Sequence, residues 1–177
     1  EAFIDALEID EDAYEQCVEN FENSDWSDRM FCYHASILEY VEEIDESYDL
    51  IICNPPFYSN TYKTHNEQRN KARFQDALPF EHLLYAVNKL LSDTGVFSIV
   101  LPYSEEVRFV KLAAAYQLFP NRILNVKGHV NSAIKRSLIE FCRTELPMKP
   151  STLVIETSRH NYTKAYIDLT KDFYLKM

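Results

Sequence analysis

Asp49-Leu50-Ile51-Ile52-Cys53-Asn54-Pro55-Pro56-Phe57 sets an apolar strand directly against an Asn-Pro-Pro-aromatic turn. Tyr48 to Cys53 reads as a buried strand of parallel type. Each proline lacks an N–H, fixes its own φ and drives the residue before it towards extended backbone, so the turn is stiff and Asn54 is held. The Asn54 side-chain oxygen and the Pro55 carbonyl can both accept from one planar –NH2 group, and Phe57 offers a face for a flat ring. Open α/β sheets bind ligands at the C-terminal ends of their strands, which is where this turn lies.

Working outward, the chain alternates strands and helices. Ala2 to Ile9 reads as a strand, Glu11 to Phe21 as an amphipathic helix, Met30 to His34 as a second strand, and Ser36 opens the next connection. Tyr58 to Asn70 is polar and without period, as expected of an active-site loop. Phe80 to Leu91 returns to helical spacing, with Gly95 expected as its left-handed C-cap. A strand follows from Val96 to Leu101, then a helix N-capped by Ser104 and running to Leu118. Ile123 to Lys127, Ser137 to Arg143 and Thr152 to Glu156 are further strands. The tail is expected to form a short helix with Tyr166, Leu169 or Thr170, and Phe173 on one face, and its aromatics Phe173 and Tyr174 to pack on the sheet. The pattern implies an α/β fold, a mostly parallel sheet with an antiparallel C-terminal hairpin.

Of the 177 residues 46% are hydrophobic, enough for one domain with a sizeable core. No apolar run is long enough to cross a bilayer and no secretory leader is present, so the chain reads as soluble and cytoplasmic. Cys17, Cys32, Cys53 and Cys142 lack metal-ligand spacing, so neither zinc nor a disulfide framework is expected, and Cys32 and Cys53 read as small buried hydrophobes. A net charge of -10 argues against indiscriminate nucleic-acid binding. A local basic rim is still open to Lys63, Arg69, Lys71 and Arg73, to Lys135 and Arg136, and to Arg159, His160 and Lys164. Only two glycines occur, Gly95 and Gly128, so no glycine-rich phosphate loop exists, and the chain begins at Glu1. From these we expect an N-terminally incomplete domain.

Glu8 ends the first strand, where an acid commonly accepts from ribose hydroxyls. Glu8-Ile9-Asp10 together with the Asn54-Pro55-Pro56-Phe57 turn resembles the second half of a class I S-adenosylmethionine-dependent amino-methyltransferase. Arg69-Asn70-Lys71-Ala72-Arg73, the strand Phe97 to Pro102 and the closing Tyr162-Thr163, Tyr166, Leu169-Thr170 and Phe173-Tyr174-Leu175 are similar to the tRNA1(Val) adenine N6-methyltransferase family, over Ala2 to Met177.

The resemblance implies a Rossmann-like class I methyltransferase sheet lacking its first strand and glycine-rich loop in this chain, within a single domain over residues 1–177. It implies methylation of the adenine 3′ of the anticodon, with S-adenosyl-L-methionine as cofactor, tRNA as partner, and neither metal nor membrane. Glu8, Ser36 and Asn54 would bind the cofactor, with Ser36 standing where many relatives carry Asp. Asn54, Pro55, Pro56 and Phe57 would form the catalytic turn, and Phe57, Arg69 and Arg73 would bind substrate. The Asn-Pro-Pro-aromatic turn also fits a guanine, DNA-adenine or glutamine acceptor, and the missing glycine loop also fits a non-catalytic RNA- or protein-binding module.

Overall fold

The computed structural model describes residues 2–55 and 78–175, which pack as two compact units, Glu1–Glu46 and Ser47–Met177. In the first unit, β1 (Ile4–Glu8) pairs in parallel with β2 (Met30–His34), in register from Ile4 opposite Met30 to Glu8 opposite His34. Helix α1 (Glu11–Glu22) connects them. The Asp10 carboxylate accepts from the Ala13 N–H at 2.9 Å, and Glu11 and Asp12 lie in the first turn, where the helix dipole favours anions. Helix α2 (Ile37–Glu43) follows β2, and the Tyr40 hydroxyl donates to Asp5 at 3.2 Å.

The second unit runs β3 (Tyr48–Cys53), α3 (Phe80–Leu90), β4 (Leu91–Pro102), α4 (Glu106–Ala114), β5 (Phe119–His129), β6 (Ile134–Cys142), β7 (Ser151–Ser158), β8 (Asn161–Tyr162) and α5 (Lys164–Thr170). Its six-stranded sheet has the order β3-β4-β6-β5-β7-β8. β3 is parallel to β4, β6 is antiparallel to both β4 and β5, and β5 is parallel to β7. Hence β3, β4, β5 and β7 all point the same way, and their C-terminal ends share one edge of the sheet.

The core forms where apolar period meets apolar period. Leu83, Leu84, Val87 and Leu90 line one side of α3, while Phe97, Ile99 and Leu101 alternate along β4, and all are buried. Phe97 pairs across the strands with Phe141, ring centroids 5.9 Å apart. Phe109 of α4 meets Phe141 at 5.6 Å and Phe80 of α3 edge-on at 4.8 Å.

Four local expectations are corrected. Among the described residues strand β3 lies at the edge of its sheet rather than buried within it, with Leu50 and Ile52 55% and 72% exposed. Gly95 is no C-cap: neither glycine has positive φ, and α3 passes straight into β4 through Leu91 at φ -76°, ψ 127°. Arg143 explains why no left-handed turn is needed. Its guanidinium donates to the carbonyls of Asn88 and Leu91, each at 2.7 Å, and so supplies partners to carbonyls at the end of the helix.

Gly95 is there for space, because a Cβ would come within 2.8 Å of Leu91 Cδ1 and 2.9 Å of the Tyr48 carbonyl oxygen. Since the backbone oxygen cannot step aside cheaply, Gly95→Ala is expected to destabilise by about 1–3 kcal/mol, read as a lower denaturation midpoint.

Ser104 likewise caps nothing. The chain turns out of Pro102 through a single 3-10 turn, Tyr103–Glu105, and α4 begins at Glu106. In the tail α5 ends at Thr170, too early to carry Phe173 onto its packed face, so Phe173 and Tyr174 are 85% and 55% exposed rather than packed on the sheet.

Candidate active site

At the end of β3, Cys53 stands opposite Ile99 of β4, and Asn54 and Pro55 continue past that row. Asn54 is exposed and Pro55 buried, so the turn is anchored by the ring and presents the amide. Burial pushes the Cys53 thiol up to about 11, which keeps it protonated and unreactive beside the turn. Pro56, Phe57, Arg69 and Arg73, together with Lys63 and Lys71, lie outside the described residues.

In the first unit, parallel pairing brings Glu8 and the start of α2 to the same end of the two strands. The Glu8 Oε1 atom accepts from the N–H groups of Ile9 and Asp10, at 2.8 and 2.9 Å. These bonds fix the carboxylate, and neither uses Oε2. The next loop residue is held too, since His34 Nε2 donates to the Ile9 carbonyl at 3.2 Å while its ring stacks on Tyr14 at 5.0 Å.

Ser36 is the N-cap of α2. Its hydroxyl accepts from the Glu39 N–H at 3.3 Å, and its own N–H donates to the Glu39 carboxylate at 2.9 Å, a reciprocal capping box. Ser36→Ala is therefore expected to cost about 1 kcal/mol of stability, seen in thermal melts, apart from any effect on ligand affinity. Hydrogen bonds from Ser36, first from its side chain and next from its backbone N–H, hold the Glu39 carboxyl below its ordinary value of 4.5. A depressed folded value means that this contribution is present above 4.5 and is lost as pH falls through the lower folded value.

Cys32 of β2 is also pushed up to about 11, first by burial and next by its hydrogen bond with Cys17. All four cysteines are free thiols. Among the described residues no group of three His, Cys, Asp or Glu side chains is placed to hold a metal, and no helix is long and apolar enough to cross a membrane.

Three features of the second unit had no signal that sequence reading used. The buried Ser137 hydroxyl lies 2.5 Å from Glu106 and 3.1 Å from Asn125, which ties α4 to β5 and β6. Arg143 closes the α3–β4 junction. His129 links the β5–β6 turn to β7, its Nε2 donating to the Thr157 carbonyl at 2.6 Å and its Nδ1 accepting from the Asn131 N–H at 3.3 Å. Of the basic residues, Lys135 and Arg136 begin β6 and Arg159 and His160 form the β7–β8 turn, while Lys164 is paired with Asp168.

Comparison with known proteins agrees with this architecture. A family model described as RNA methyltransferase matches residues 4–132. The tRNA1(Val) (adenine(37)-N6)-methyltransferase of Flavobacterium psychrophilum is 59% identical over 98% of this chain and 74% of its own length. The protein of the same name from Christiangramia forsetii is 53% identical over 98% of this chain and 73% of its own. The chain thus spans about three-quarters of the length of these relatives. In fold it is similar to the crystal structure of a predicted O-methyltransferase from Agrobacterium tumefaciens, with TM-score 0.67 and 18% identity over 94% of this chain and 76% of that one. An α/β sheet with Asn54 exposed just past the end of β3, a matching RNA-methyltransferase model and identity above half to named relatives converge, and the chain belongs to the tRNA1(Val) (adenine(37)-N6)-methyltransferase family.

Proposed function

We propose that this protein methylates N6 of adenine 37 in tRNA1(Val), with S-adenosyl-L-methionine as methyl donor. The observation that carries the reading is Asn54-Pro55, anchored and presented at the C-terminal end of β3, in a chain this similar to enzymes of that name. We further read both units as one methyltransferase domain, since the family match at residues 4–132 runs from the first into the second.

The residues present suit the cofactor. A carboxylate fixed through one oxygen, as Glu8 is, leaves the other to accept from a ribose hydroxyl. The Ser36 hydroxyl, while bonded to Glu39, keeps a lone pair that can accept from an adenine amine. S-adenosyl-L-methionine, when bound, supplies an electrophilic methyl group.

This chain's own part is to orient the acceptor. The target base leaves its stack, at a cost of a few kcal/mol. The Asn54 side-chain oxygen and the Pro55 carbonyl oxygen each accept one N–H of the N6 amine, which turns its lone pair out of ring conjugation. Phe57 gives the ring a stacking face, and Arg69 and Arg73, four apart in sequence, take phosphates. As methyl transfer proceeds the amine gains positive charge, so both acceptors bind more strongly in the transition state than before it. The surplus proton leaves to water and no base is needed.

Labelled methyl transfer to separate pools of tRNA, DNA and protein tests the substrate class. Label in tRNA alone is expected, and label in either other pool instead would overturn the reading.

A further inference from the structure

The cations of the second unit differ in what they face. Arg122 of β5 pairs with Glu140 of β6 at 3.5 Å, and Arg143 is held by backbone carbonyls and by the Asn88 side chain. At the edge where β3, β4, β5 and β7 end, Lys135, Arg136 and Arg159 are exposed. Among the described residues none of the three makes an ion pair. In a chain of net charge -10, whose overall field repels RNA, cations left without counter-charges at one edge are where a polyanion can settle.

Register places them beside the Asn54 turn. Arg136 stands opposite Pro102 of β4, and Cys53 opposite Ile99, so Asn54 is level with Val100 and two rows short of Arg136. Two strand spacings and two rows put the two Cα atoms roughly 12 Å apart. That is close enough for Arg136 to reach phosphates flanking a base held at Asn54.

The same edge is held rigid. His129 ties the β5–β6 turn to Thr157 near the end of β7, and within that turn Ser132 Oγ accepts from the His129 N–H at 3.0 Å and donates to its carbonyl at 2.8 Å. One turn leads into Lys135 and Arg136, and the strand end it is tied to leads into Arg159. Arg159 Nε donates in turn to His160 Nε2 at 3.2 Å, with His160 in left-handed backbone at φ 64°. Two acids on neighbouring elements have partners of their own: Glu156 accepts from the His160 N–H at 3.4 Å, and Glu106 meets Ser137. Fixing the backbone that carries the cations before binding lowers the ordering cost of association.

We propose that Lys135, Arg136 and Arg159 form a strip that binds the phosphate backbone of the tRNA next to its target adenine, with His129 as the positioning residue that holds the strip together. This rests on the tRNA reading above.

The test measures binding of an unmodified tRNA1(Val) transcript to the full-length protein across a salt series, alongside kcat and KM for methyl transfer. In the triple variant Lys135→Ala, Arg136→Ala, Arg159→Ala, affinity is expected to fall about 10- to 100-fold. The slope of log K against log salt should shrink by roughly 2, at about 0.7 per lost contact to single-stranded RNA. The rise should appear in KM, with kcat and cofactor affinity kept. Arg122→Ala, which removes a paired cation, should bind as wild type does.

His129→Ala should raise KM without changing the salt slope, since all three cations remain, and His129→Gln, which keeps a donor, should recover part of the loss. A triple variant with wild-type affinity and slope would overturn the strip while wild-type methylation of tRNA leaves the functional reading standing. A wild-type protein that neither binds nor methylates tRNA would remove the functional reading, and the strip with it.

Discussion

Asn54→Ala is expected to slow methyl transfer to tRNA roughly 10²- to 10³-fold, the loss seen when one preorganised polar group aimed at developing charge is removed. The step depends on the N6 amine gaining positive charge as its bond to carbon forms, and Asn54 supplies one of the two acceptors facing that amine. Since Asn54 is exposed and sits past the last paired row of β3, the fold should be intact, with stability within about 0.5 kcal/mol of wild type. Steady-state kinetics should show the loss in kcat, with tRNA affinity retained because the phosphate contacts lie elsewhere. A variant as active as wild type would remove Asn54 from the mechanism.

Phe109→Ala is the change with the largest expected effect on stability, about 3–5 kcal/mol, from the lost transfer energy of the ring plus the cavity it leaves. Phe109 is fully buried and joins Phe80 of α3, Phe141 of β6 and Phe97 of β4 into one aromatic cluster. Neighbours fixed on three separate elements cannot all move in to fill the space. Thermal unfolding should drop by roughly 6–20 °C for a chain of this size. Phe109→Leu should cost much less, since most of the volume stays. At low temperature the residual activity of the folded fraction should match wild type, because the ring contacts of Phe109 among the described residues are with Phe80, Phe97 and Phe141. A melt unchanged in Phe109→Ala would contradict the packing account.

What could be read from sequence was what local chemistry fixes. Met30–His34 and Tyr48–Cys53 are strands as expected, and the helix expected over Glu11 to Phe21 from its apolar spacing forms as Glu11–Glu22. Asn54 could be singled out because two prolines and the strand before them constrain it within a few residues.

The misread positions are decided by partners far away in the chain. Gly95 looks like a cap until Arg143, more than forty positions on, supplies the carbonyls of Asn88 and Leu91 with donors. Ser104 has the right chemistry for a cap, yet the chain turns earlier, out of Pro102, while Glu106 meets Ser137 on β6. His129 carries no motif at all, and its part in joining two turns emerges only once β5 and β7 lie side by side. Ser36 shows a subtler limit, since its sequence position suggests a ligand contact but its hydroxyl is first of all the cap of a helix.

The most direct measurement of the central claim is labelled methyl transfer by the full-length protein to unmodified tRNA1(Val) and to the same transcript with guanine at position 37, followed by digestion to nucleosides. N6-methyladenosine is expected from the first transcript and no label in the second. Equal labelling of both transcripts, or label in a nucleoside other than N6-methyladenosine, would contradict it.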